Sequence, residues 1–285
     1  MYVDEAGLPY SDYGVYLGID IGRQRSILSV AERGLWCWNQ FDLGDDKVLL
    51  SYDWNKWPVN REKNPTDLSE ALRVFRSCVI WMLREIHDNE DFAVWIYPYP
   101  MAYGTASGWR SAHAQATGLQ LLVRAALYLR EPEFLKPVDR LLSAFDVPVE
   151  DGGLLDISEA SIPWFEKFAD PGNRKPKVLN GLLFAIIGLR DVHNYTGNSH
   201  ALKLANTGLE SALALMPRFD LEDWSAYDIE GKRATPHYHD IHIRQLALLA
   251  RETGDERLLA WHDRFVAYSD MALLKSGKLK LPSKE

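Results

Sequence analysis

VLNGLLFAIIGLRDVHNYTGNSHALKLANTGLESALALM, residues 178–216, is the stretch from which the architecture can be read. Val178 to Tyr195 has the length and apolar spacing of a helix, Gly197-Asn198 makes a turn, and Ala201 to Met216 carries a second helix. Gly197 sits where a left-handed C-cap is needed. So short a turn forces the two helices to lie antiparallel as a helical hairpin.

The same unit occurs on both sides of it. Ser111 to Arg130, a turn at Glu131-Pro132, and Glu133 to Phe145 form one hairpin. His239 to Thr253, a turn at Gly254-Asp255, and Glu256 to Tyr268 form another. A further helix starts after Pro65, capped by Thr66 or Asp67, with Leu68, Leu72, Phe75, Val79, Met82 and Ile86 at helical spacing. Hairpins recurring about every 60 residues describe a helical array. The connecting stretches Asp146 to Lys177 and Pro217 to Tyr238 are long and gather at one end, where function usually sits. The expected fold is mainly α, an incomplete (α/α) toroid with Ser111–Arg130, Val178–Tyr195 and His239–Thr253 as inner helices around a cleft. A flat helical solenoid without a cleft is the alternative.

The N-terminal part reads differently. Val15 to Ile19, Ser26 to Val30 and Leu35 to Trp38 are short apolar or β-branched runs between Gly and charged residues, so strands are expected. Asp46 to Pro65 is expected to be a long loop, and Phe92 to Tyr97 a short strand. The domain division is therefore 1–64, a small β-hairpin and loop region, and 65–285, the toroid. Gly18-Ile19-Asp20-Ile21-Gly22 resembles the first phosphate loop of the actin and sugar-kinase ATPases. The later chain lacks the alternating strands and helices of that fold, so the segment reads as a β-hairpin.

Composition narrows the function. The 285 residues carry a net charge of −8, which disfavours nucleic acid as a partner. Ten Trp and thirteen Tyr could stack on sugar rings or fill the core, and core filling is the commoner use. Cys37 and Cys78 are the only cysteines, so there is no disulfide framework. No uncharged run approaches the roughly 18 residues of a membrane span, and no signal peptide is seen, so a cytoplasmic protein is expected.

The chemistry gathers at Tyr227-Asp228 and at His237-Tyr238-His239-Asp240-Ile241-His242, the entrance of a predicted inner helix. His239 and His242 share a helix face and could hold a metal with His237. A hydrogen-bonded pair of histidines beside a cleft is the favoured reading, with no metal. Tyrosines near a cation can act as acids or bases. Trp109-Arg110-Ser111-Ala112-His113-Ala114-Gln115 opens another inner helix, where Arg110 could grip a carboxylate through two hydrogen bonds.

Taken in order, Trp109 to Gln115, the Leu179-Asn180-Gly181 helix, Tyr227-Asp228 and Tyr238-His239-Asp240-Ile241-His242 resemble the C-terminal catalytic domain of the D-glucuronyl C5-epimerases. The resemblance covers roughly residues 98–268 and implies an incomplete toroid, a uronic-acid glycan as substrate, no cofactor and a homodimer. It places active-site tyrosines at Tyr227 and Tyr238. The family's Glu-Tyr pair before the Leu-Asn-Gly helix falls, aligned by Trp164, on Lys167-Phe168, with Glu166 one place earlier.

Epimerisation at C5 removes the proton beside the carboxylate and returns it from the other face. It requires a cation at the carboxylate and proton carriers on both faces. The expected catalytic set is Tyr238 with His242 or Glu166 opposite, and Tyr227 as a donor. Arg110, Lys167 and Arg233 are candidates for the carboxylate, and Asn180, His239 and Asp228 for other substrate contacts. A polysaccharide lyase shares the first step. A glycosidase needs two facing carboxyls, for which Glu166 and Asp228 are candidates. A non-catalytic carbohydrate-binding homologue is the remaining alternative.

Overall fold

The structure is a computed structural model and describes residues 1–16, 18–56 and 58–275. Eight α-helices dominate the described residues: α1 (Ile27–Gln40), α2 (Leu68–Arg84), α3 (Ala112–Tyr128), α4 (Val138–Ser143), α5 (Leu179–Thr196), α6 (Ser199–Leu215), α7 (Pro236–Thr253) and α8 (Glu256–Lys275). Side-chain caps fix most helix starts: Ser26, Asp67, Ser111, Asn198 and Thr235 each accept a backbone N–H from the first turn. Gly197 and Gly254, at φ 71° and 69°, close α5 and α7 in the left-handed conformation that glycine adopts without strain.

The packing is that of an incomplete α/α toroid. α3, α5 and α7 form an inner row with α5 in the middle, and α6 and α8 pair with α5 and α7 on the outside. α1 extends the row by packing on α3, with α2 as its partner. Fifteen of the 17 residues of α3 are buried, which fits a helix covered on every side.

Two expectations are corrected. Ser26 to Val30 and Leu35 to Trp38 are not strands but the two ends of α1. Every residue from Ile27 to Trp38 is buried, and Ile27, Ala31, Leu35 and Trp38 do recur at helical spacing, but Gly34 and the β-branched and aromatic residues among them give the run the look of two short strands. Gly34, which looked like a turn signal, is an approach point. A Cβ there would lie 2.7 Å from Leu121 Cδ1 on α3 and 3.2 Å from Cys78 Cβ on α2. The predicted helix Glu133 to Phe145 is also broken. It divides into a 3-10 turn, Pro132–Leu135, and α4, because Pro137 has no N–H to continue the ladder.

The strands are short. β1 (Tyr2–Val3), β2 (Pro9–Asp12) and β5 (Arg23–Gln24) form a three-stranded antiparallel sheet, and β3 (Val15–Tyr16) pairs with β4 (Ile19–Asp20), so the stretch Val15 to Ile19 is not one strand but a tight hairpin folded back on itself before Ile19. Leu17, within the predicted strand, lies outside the described residues. The predicted strand from Phe92 divides into β7 (Ala93–Val94), paired with β6 (His87–Asp88), and β8 (Ile96–Tyr97), paired with β9 (Trp109–Arg110). β10 (Leu155–Asp156) and β11 (Trp164–Phe165) close the loop region before α5. One apolar core runs from Leu8 to Phe265.

Candidate active site

A cavity of about 360 Å³ opens where the inner helices begin. Each contributes from its first turn or cap: Ser26, Leu28 and Ser29 of α1, Ser111 and His113 of α3, Asn180 of α5, and His237 and Tyr238 of α7. Four helix N-termini therefore face one space, and their aligned peptide dipoles favour negative charge there. Much of the remaining wall is aromatic: Tyr13, Tyr52, Tyr97, Tyr99, Trp109, Phe168 and Tyr227. Trp109 is held against Tyr97 in a stack with centroids 3.9 Å apart.

Lys167 enters this space from the segment after β11. Its Nζ donates to Tyr227 Oη at 3.2 Å and to Asn180 Oδ1 at 3.3 Å. It also lies 5.4–5.8 Å from the ring centres of Tyr227, Tyr238 and Phe168. Neutral oxygens and ring faces repay only part of the hydration an ammonium loses, so burial pushes the Lys167 pKa down, opposed by nearby Tyr238. The Tyr227 and Tyr238 rings meet at 4.7 Å. Burial pushes the Tyr227 hydroxyl up to about 12 and also raises that of Tyr238, although Lys167 pulls the latter down. Both phenols are therefore protonated near neutral pH. The Nδ2 of Asn180 is buried without a partner.

Of the residues singled out from sequence, Tyr227, Tyr238, Lys167, Asn180 and His237 share the cavity wall. The others lie elsewhere. Glu166 points away from Lys167, and its carboxylate accepts the backbone N–H of Lys177 at 3.0 Å. Burial raises its pKa to about 8. The chain turns at Lys167-Phe168 just after β11, and that turn carries these two side chains into the cavity while Glu166 stays outside it.

His239 and His242 are tied together by Ser225, whose Oγ lies 2.8 Å from His239 Nδ1 and 2.9 Å from His242 Nδ1. The hydrogen-bond pattern assigns the protons. Nε2–H of His239 donates to the Phe265 carbonyl at 3.0 Å, so its Nδ1 accepts from Ser225. Ser225 Oγ in turn accepts from Nδ1–H of His242. Burial lowers the pKa of both rings, to about 3 for His242. They hold the loop onto α7, and neither lines the cavity. Among the described residues no cluster of three His, Cys, Asp or Glu side chains is placed to hold a metal.

Asp228 is also structural. It accepts Tyr103 O–H at 2.6 Å and the N–H groups of Glu230 and Lys232 at 3.2 Å, which shapes the turn behind Tyr227. Arg110 is buried, but it donates to the carbonyls of Gly108 and Val149 and so braces two loops. Arg233 is exposed, paired with Asp223 at 2.7 Å and set over Trp224.

Sequence reasoning missed the N-terminal contribution. Ser11 and Tyr13 come from the β-region, and Ser51 and Tyr52 from the long loop. High tyrosine content was the only available signal for them. His113, inside the Trp109 to Gln115 motif, also reaches the cavity, and nothing in the sequence marks it as a site residue.

The sequence pattern of a known family, D-glucuronyl C5-epimerase C-terminus, matches residues 89–267. An uncharacterized protein of Methanocaldococcus jannaschii is 30% identical over 275 residues, covering 92% of this chain and 83% of the relative. The D-glucuronyl C5-epimerase of Caenorhabditis elegans is 29% identical over 222 residues, 68% of this chain, but only 35% of the worm enzyme is spanned. Among solved structures, a family 76 glycoside hydrolase from a bovine Bacteroides thetaiotaomicron strain superposes with a TM-score of 0.58 at 9% identity. That match covers 95% of this chain and 53% of the hydrolase, and it shows a shared fold. The match over residues 89–267 contains Lys167, Asn180, Tyr227 and Tyr238, and by it the chain belongs to the D-glucuronyl C5-epimerase C-terminus family.

Proposed function

We propose that this chain is a carbohydrate-processing enzyme that epimerises a uronic acid at C5. The observation that carries the reading is the Lys167 ammonium among four helix N-termini, next to Tyr227, Tyr238 and Asn180. A carboxylate is the ligand such a site prefers. Lys167 and the helix dipoles neutralise it, which lets charge from C5 spread onto it once the proton leaves. Tyr238, protonated and beside Lys167, is suited to give a proton to C5, because the ammonium stabilises the phenolate left behind. Tyr227 holds Lys167 in place, and Asn180 Nδ2 is free to donate to a sugar oxygen. At about 360 Å³ the cavity is at the small end of ligand sites, which suits one or two sugar rings at the end of a glycan.

The test is incubation with a glucuronate-terminated oligosaccharide in deuterated water, read by NMR. Deuterium should replace the C5 hydrogen, and the C5 epimer should appear. An unsaturated, ultraviolet-absorbing product would instead identify a lyase. The absence of both exchange and unsaturation would reject a carbanion mechanism. Tyr238→Phe should lose epimer formation by about 10²–10⁴-fold with an unchanged circular dichroism spectrum.

A further inference from the structure

Two protonated phenols cannot both serve the reaction, because the first step needs a base. Glu166 and His242, the residues expected to supply it, lie outside the cavity. His113 lies within it.

The His113 ring is 1% exposed, and both its nitrogens are buried without a hydrogen-bond partner. It is positioned firmly, two residues after the Ser111 cap of α3, and stacks on Phe184 of α5 with centroids 4.2 Å apart and planes 1° from parallel. An apolar side chain would fill this place without leaving two buried polar atoms unsatisfied, which is destabilising. Something entering the cavity would give those nitrogens a partner. Burial and the nearby Lys167 charge together hold the imidazole neutral in the empty cavity. α3 and α7 lie on either side of α5, so His113 and Tyr238 reach the space from different walls.

We propose that the His113 imidazole is the base that takes the C5 proton, on the sugar face opposite Tyr238. The assignment rests on the uronate reading above. The C5–H bond breaks, its electron pair spreads onto the carboxylate held by Lys167, and the proton bonds to a ring nitrogen of His113. Tyr238 O–H then gives its proton to C5 from the other face, forming the new C5–H bond. An imidazolium and a phenolate remain, and proton exchange with solvent restores both. The reverse reaction exchanges the two roles. The incoming carboxylate offsets the Lys167 charge that disfavours protonation of His113, so substrate binding itself makes the imidazole a better base.

The experiment compares wild type, His113→Gln and Tyr238→Phe on the glucuronate-ended oligosaccharide and on its C5 epimer, in deuterated water. Each variant should make no inverted product. Each should keep C5 exchange of one epimer only, a different one for each, with the other slowed about 10²-fold or more. A His113→Gln enzyme that exchanges both epimers at the wild-type rate, or loses both, overturns the assignment while leaving the uronate reading standing. A wild type without exchange ends both. Should His113→Gln fail to fold, 15N-labelled wild type decides: the His113 ring resonances should shift when the glucuronate oligosaccharide is added, and unmoved resonances overturn the proposal.

Discussion

Gly188→Ala is expected to destabilise the protein although it improves an α-helix. Gly188 lies inside α5, where alanine gains about 1 kcal/mol of helix propensity over glycine. Opposing this is the closeness of α3. A Cβ at position 188 would sit 2.8 Å from both the Cβ and the carbonyl oxygen of Ala116, and 2.9 Å from its carbonyl carbon. Two of these three atoms are backbone of a buried helix and cannot rotate aside. Overpacking costs typically run to about 1–3 kcal/mol, and the upper end applies where backbone must move. The net expectation is a loss of about 1–2 kcal/mol, or about 0.5 M in the urea midpoint at a slope near 3 kcal/mol/M. Ala116→Gly in the same chain removes the Cβ clash but leaves the carbonyl clash. The double variant should therefore recover only part of the packing loss, with a coupling of about 0.5–1 kcal/mol. Urea melts of wild type, both single variants and the double variant measure every term. A Gly188→Ala protein more stable than wild type would mean that α3 and α5 are not in close contact, and would refute the inner row as described.

Other expectations follow from the buried titratable groups. Glu32 is fully buried, accepts Ser51 N–H and O–H at 2.6 Å, and is raised to about 7 by burial. A carboxyl raised in the folded state stabilises fully below its unfolded value and loses that contribution as pH rises through the folded one. Wild type should thus lose up to about 3 kcal/mol from this group between pH 4.5 and 7, while Glu32→Gln should not; parallel pH dependences by thermal melts would contradict the assignment. His113 and His242 act with the opposite sign. Their lowered pKa values make the folded state poorer in protons, so stability falls as pH drops below 6.5, and His242→Asn should flatten that acid limb down to about pH 3. Lys167→Met should weaken binding of a glucuronate oligosaccharide about 10–100-fold in calorimetry, since a charged hydrogen bond contributes about 1.5–3 kcal/mol. Unchanged affinity would remove Lys167 from the carboxylate site.

The site is partly legible in the chain because two different signals coincide there. Tyr227, Tyr238 and Asn180 belong to recognisable motifs, and Lys167 stands where the family pattern has glutamate. The histidines misled, because residue type reports what a group could do and not where its ring points. His239 and His242 turn to Ser225 and Phe265, whereas His113, amid small apolar neighbours, meets the cavity.

Local physics fixed the helical hairpins. Apolar spacing, a capping Asp67, Ser111 or Asn198, and glycines at 197 and 254 act over a few residues and can be read in order along the chain. What is set by contacts between distant segments could not be read in that way. α1 holds its helical spacing in Ile27, Ala31, Leu35 and Trp38, but Gly34 reads as a break until its close approach to α2 and α3 is seen. The choice between Glu166 and Lys167 depends on which side of one segment faces the hole. The partnering of Tyr13, Tyr52, His113 and Tyr238 joins residues more than 200 positions apart. The helices follow from neighbours along the chain, while the cavity exists only where four of their N-termini are brought together in space.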